Sequence, residues 1–189
     1  MNPSNHPSAV LESDLLREGR AEHTVQPAAA DLAEVIRKTL SKMEGAFHPS
    51  LQVQLDLQQD TKLVRVEPVE VSRVVMLLCQ HAQDVMVQGG LLLVEVFTIT
   101  LEDSHPKVFL GEGRPGEYSV LALSDSGHGM DALELERLFE FPPSQDECRA
   151  QPRSGLYTVR EIVDRCGGHV WVYSEPGYGT QFEVFFPVA

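Results

Sequence analysis

The sequence predicts a two-layer α/β sandwich, a mixed sheet with helices on one face. Three observations carry that expectation. Apolar residues recur at helical spacing in two long segments, short apolar runs lie between and after them, and Gly- or Pro-rich breaks mark each change of pattern. At 189 residues and 42% hydrophobic content the chain fits one domain with a substantial core.

Residues 1–28 are rich in Asn, Pro, Ser, Ala, Glu and His and read as a flexible N-terminal tail, leaving 29–189 as the domain. The tail holds one apolar episode, Val10-Leu11-Glu12-Ser13-Asp14-Leu15-Leu16, suited to docking on the domain or on a partner. In residues 31–43, Leu32, Val35, Ile36, Leu40 and Met43 share one helical stripe. Leu51, Val53, Leu55 and Leu57 alternate with polar residues and predict a strand, and Val64-Arg65-Val66 a second short one. Pro68 suits the first position of a helix, where its missing amide has no partner to lose, and that helix is expected to reach about Val87 before Gln88-Gly89-Gly90 ends it. A strand over 91–101, a loop over 103–116 and an apolar strand over 118–123 follow. The acidic segment 131–139 and the segment beginning near Ser154-Gly155-Leu156 read as helices, the second closed by Gly167-Gly168-His169. The chain finishes with strand 170–174, a Glu175-Pro176-Gly177-Tyr178-Gly179-Thr180 turn and strand 181–187.

A net charge of −13, with scattered basic residues, argues against nucleic acid or an anionic membrane as partner, since both demand a basic face. No apolar run approaches the ~18 residues that span a bilayer. The N-terminus lacks a signal-peptide layout, so a cytoplasmic location is expected. Cys79, Cys148 and Cys166 form no Cys-x-x-Cys pair and suggest neither zinc nor a disulfide framework; Cys79 reads as a small core residue.

The most informative stretch is Ser124-Asp125-Ser126-Gly127-His128-Gly129-Met130-Asp131, directly after an apolar strand. Such a strand end presents a carboxylate to an exocyclic amine, and the glycines let backbone turn sharply against a ligand. Asp125 is expected near the surface. Together with Phe139-Glu140-Phe141-Pro142-Pro143, Gly167-Gly168-His169 and the Gly177-Tyr178-Gly179-Thr180 hairpin, this order resembles the ATP-binding catalytic domain of sensor histidine kinases, in the gyrase, Hsp90, histidine kinase and MutL superfamily, over about residues 31–187.

The resemblance implies four boxes around ATP. In the adenine box, Asp125 would accept the adenine amino group while Gly127 and Gly129 let the backbone close over the base; the fold's own need for the turn is the competing explanation. In the box whose two asparagines hold magnesium and phosphate, Ala82, Asp84, Met86 and Gly89-Gly90 fix the register, so Leu77 and His81 replace both asparagines. Magnesium wants oxygen ligands, so that site looks lost. His81 fits either a packed position or, protonated, a donor to phosphate, with Asp84 beside it. In the phosphate-binding glycine run, the match is Gln151-Pro152-Arg153-Ser154-Gly155-Leu156: only Gly155 survives, Pro152 removes an amide, and Arg153 suits either a phosphate or a surface ion pair. Ser154 reads as an N-cap. The lid over 144–152 is short, with Asp146 and Glu147 against Arg149 alone. Thr180 completes the candidate nucleotide contacts, and no catalytic or metal residue is assigned.

None of His6, His23, His48, His81, His105, His128 and His169 lies in an upstream helical hairpin of the kind that accepts a phosphoryl group. A self-sufficient autokinase is therefore not expected, and the chain reads either as part of a larger kinase or as a stand-alone domain, with Met1 read as a natural start. The leading expectation is a pseudokinase with weak ATP or ADP binding and no dependable magnesium site. Its partners would be a response-regulator receiver, a kinase's dimerisation helices or a second copy of itself, with Phe141, Tyr157 and Tyr178 as contact candidates. The alternative is an active domain that phosphorylates a histidine on a separate domain; an anti-sigma-type regulator kinase is a third reading.

Overall fold

The computed structural model describes residues 29–58, 60–102, 114–140 and 154–189. The tail 1–28, most of the 103–116 loop, and 141–153 with Phe141, Cys148, Pro152 and Arg153 lie outside the described residues, as does the Ser154 side chain.

The chain begins at β1 (Ala29–Ala30), which pairs antiparallel with β3 (Val64–Arg65) in a small sheet of its own. The predicted strand at 64–66 therefore does not join the main sheet; it is tied to the C-terminus instead, through a Val64–Val188 bridge and an Ala189 amide donating to Leu63 O at 2.8 Å. Helix α1 (Leu32–Met43) starts where the Asp31 carboxylate accepts the Glu34 amide at 3.1 Å, and its apolar stripe buries Leu32, Ile36 and Leu40. A short 3-10 turn (Glu44–Ala46) leads to β2 (Leu51–Leu57).

Helix α2 (Pro68–Val85) is the middle helix, packed against α1 on one side and α4 (Ser154–Arg165) on the other. It buries Val71, Val74, Val75, Leu78, Cys79, His81 and Ala82. Cys79 is inside as expected, and burial pushes its thiol up to about 12. The helix stops at Val85, two residues short of the expected end, because Met86 leaves helical geometry and enters the core.

Five strands form the main sheet in the order β2-β4-β5-β7-β6, with β4 (Gly90–Leu101), β5 (Gly116–Asp125), β6 (His169–Glu175) and β7 (Gly179–Pro187). The β2–β4 pair is parallel and the others antiparallel, so the sheet is mixed. Alternation puts Leu92, Val94 and Val96, Leu121 and Leu123, and Phe182, Val184 and Phe186 into one core with the helices. The opposite face carries a smaller cluster of Leu101, Tyr118, Val120 and Phe185, flanked by Phe97, Ile99 and Trp171. The expected helix over 131–139 is only α3 (Ala132–Glu136), begun by a reciprocal Asp131–Glu134 capping box; the following turn buries both Leu138 and Phe139. Among the described residues no helix is long and apolar enough to cross a membrane.

Phe182 is fully buried in the centre of this core. Phe182→Ala is expected to lower stability by about 3–5 kcal/mol in urea unfolding, and a loss below about 1 kcal/mol would contradict the packing described.

Candidate functional site

Asp125 ends β5 between two strands, opposite Leu92 of β4 and Thr180 of β7. It is 6% exposed, so the strand end that the sequence places near the surface holds its carboxylate almost wholly buried. Its Oδ1 accepts the Gly127 amide at 2.8 Å. Its Oδ2 is buried with no hydrogen-bond partner among the described residues. Burial pushes the carboxyl above its ordinary range; the Gly127 and Thr180 backbone and nearby His128 pull the other way and do not outweigh it.

The turn after Asp125 and the β6–β7 hairpin form one backbone unit. Gly129 has φ +67°, and a Cβ there would stand 1.9 Å from Glu175 O. Gly179 has φ +86°, and its Cβ would stand 1.9 Å from Asp125 O. The Gly177 amide donates to His128 O at 2.7 Å. Ser174 Oγ accepts the Met130 amide at 2.8 Å and donates to Gly179 O at 2.9 Å. Its one proton is thereby committed, so Thr180 Oγ1, 2.9 Å away, is the donor of that pair. Packing accounts for Gly129 and Gly179 without any ligand. It does not account for Asp125 Oδ2, a buried acceptor without a hydrogen bond of its own among the described residues, whose desolvation the nearby Thr180 backbone only partly offsets. By its chemistry that oxygen calls for an N–H or O–H donor. Position 127 has no room for a side chain, since a Cβ there would lie 2.8 Å from both Asp125 Oδ1 and Val85 Cγ2.

The other end of the site is built differently. Leu77 packs against the core from α2, and a Cβ at Gly155 would come within 3.0 Å of Leu77 Cδ2. Hydrocarbon therefore meets the first turn of α4 where the resemblance places a magnesium-holding asparagine. His81, one turn on, is 3% exposed and sits edge-on to Phe182 with ring centroids 5.4 Å apart. Asp84 Oδ1 accepts Gln80 Nε2 at 3.1 Å on the same helix. The structure thus joins Asp125, Gly127, Gly129 and Thr180 in one unit, with Val85 linking it to α2, and sets His81, Asp84 and Gly155 on the helix layer; Arg153 lies outside the described residues. Of the contact candidates, Tyr178 is 84% exposed at the hairpin tip and Tyr157 is half-buried. His169 accepts the Arg114 amide at Nε2 (3.2 Å) beside Tyr118 Oη (3.1 Å), a position that ties β6 to the start of β5. Sequence reasoning missed Ser174; its signal was a hydroxyl on the inward side of β6, in step with Val170 and Val172.

Residues 66–189 match the histidine kinase-, DNA gyrase B-, and HSP90-like ATPase family, and the chain belongs to that family. It is 28% identical over 183 residues to the sensor kinase CckA of Brucella abortus, covering 95% of this chain and 19% of that protein. It is also 28% identical over 185 residues to the adaptive-response sensory kinase SasA of Parasynechococcus marenigrum, covering 94% of this chain and 44% of that one. The chain thus spans less than half the length of these relatives. The mycobacterial sensor histidine kinase MprB shares the fold at TM-score 0.63 and 19% identity, over 85% of this chain and 97% of that chain. Full-length ShkA, solved in complex with AMPPNP, does so at TM-score 0.65 and 18% identity, over 86% and 31%.

Because the folded-state pKa of Asp125 is raised, the native state holds that proton more tightly than the unfolded chain does. That contribution is complete below the unfolded-state value and is lost as pH rises through the folded-state value. Relative to Asp125→Asn, which keeps the Gly127 acceptor, the wild type is expected to lose stability as pH rises from below 3.8 towards neutrality. Urea unfolding of both proteins across that range checks it, and a relative gain would refute the assigned direction.

Proposed function

We propose that this chain is a histidine-kinase-like ATP-binding domain of two-component signalling that has lost efficient turnover of Mg-ATP and acts through protein partners. The observation that carries the reading is the Leu77 side chain lying against Gly155. Phosphoryl transfer on this fold depends on metal and phosphate positioning, and a leucine supplies no oxygen to a hard cation. His81, buried against Phe182, offers imidazole rather than an amide oxygen. What the site retains is an adenine acceptor in Asp125 Oδ2, so ATP or ADP binds weakly and without help from magnesium. The relatives bearing sensor-kinase names support a receiver, a kinase's dimerisation helices or a second copy as the partner. The acidic surface does not suit nucleic acid or an anionic membrane.

A second reading, an active catalytic domain that phosphorylates a histidine on a separate domain, draws on the intact Asp125 turn and on the ShkA–AMPPNP complex. Two sets of variants separate them by calorimetric titration with ADP. Asp125→Ala is expected to weaken binding roughly ten- to hundredfold, the worth of a buried hydrogen bond to a charged group. Equal affinity in variant and wild type would refute the adenine assignment. Leu77→Asn, alone and with His81→Asn, is expected to make affinity depend on magnesium. A wild type already as magnesium-dependent as the double variant would favour the active domain.

A further inference from the structure

The helix layer carries a groove that the nucleotide site does not use. It runs between α1 and α2, with a volume of about 710 Å³. Its walls are apolar: Val35 and Met43 from α1, and Val69 and Met76 from α2. Val69 is 70% exposed and Met76 44%, a poor arrangement for large side chains facing water. The floor satisfies its own polar groups, since Thr39 Oγ1 lies 3.0 Å from Ser72 Oγ and 2.8 Å from Val35 O. Lys38 and Lys42, one turn apart, also line it. At the other end Asp31 caps α1 and Glu34 pairs with Lys38.

We infer that the occupant is the chain's own segment 10–16, docked in cis. Three features select it. The chain leaves the described structure at Ala29 and Ala30, which line this same groove. Val10, Leu11, Leu15 and Leu16 supply aliphatic groups that can cover the exposed apolar walls, Leu11 and Leu15 being four positions apart in sequence. Glu12 and Asp14 lie between them and complement Lys42, Lys38 being already paired with Glu34. Reach is no obstacle, because the twelve residues between Leu16 and Ala29 can extend to at most about 40 Å. The inference is independent of whether the domain binds nucleotide: it makes the helix layer a surface that an external partner gains only by displacing the segment.

Amide hydrogen exchange of residues 10–16 in the full chain tests this. A peptide-strength contact of about 0.1 mM against an effective concentration of about 1 mM gives about tenfold slowing relative to the intrinsic rate. Met76→Glu and Val69→Glu leave the segment unchanged and alter exposed positions; each is expected to return its exchange towards the intrinsic rate while α1 and α2 stay protected. Protection in the wild type must also survive dilution. Intrinsic exchange in the wild type overturns the proposal. So does protection that both groove variants leave intact, which would place the segment elsewhere. Protection lost on dilution overturns docking in cis and assigns the groove to the segment of a second copy.

Discussion

The contact on which the rest of the site depends is backbone against backbone, where the turn after Asp125 meets the β6–β7 hairpin. Carbonyl oxygens of Asp125 and Glu175 occupy the space that side chains at Gly179 and Gly129 would fill, so neither glycine admits a substituent. Both have positive φ, and both therefore serve conformation as well as space. Ser174 completes the joint by receiving the Met130 amide and Thr180 hydroxyl while donating to Gly179. The loop is thereby bolted to β6 and β7, the last two strands of the chain.

That joint has a chemical consequence. It buries Asp125 at the end of β5 with one oxygen committed to Gly127 and the other unused among the described residues. A fold that only needed a turn here would be served by a group without a desolvated acceptor. The helix layer sends the opposite message at the far end of the site, where Leu77 and His81 make hydrophobic and aromatic contacts with Gly155 and Phe182. One end keeps a polar group that packing does not require, and the other is filled by apolar and aromatic packing. The contrast is the physical basis for reading the domain as one that recognises a base but grips no metal-bound phosphate.

Much of the fold was legible because local and global preferences agree. Asp31 caps the helix whose stripe Leu32, Ile36 and Leu40 enters the core, and Leu51 to Leu57 forms the predicted strand with its ends unchanged. The β1–β3 pair was not, because two alanines carry no alternation and the pairing is held by the distant C-terminus. The capping box at Asp131 signals a helix start, yet nothing local shows that Leu138 and Phe139 turn inward after a single turn. At the site, residue identities at 77, 81, 125, 127 and 129 were readable from register. The burial of Asp125, the role of Ser174 and the Leu77–Gly155 contact were not, since each arises only when segments far apart in sequence pack together.

The central claim is that base recognition persists here without a metal-assisted hold on phosphate. Calorimetric titration of the unmodified protein with ADP, once with magnesium and once with a chelator, tests it most directly. The account predicts weak binding of equal affinity in both conditions. Tight binding that collapses when the chelator is added would contradict it and identify a working magnesium site that Leu77 and His81 do not prevent.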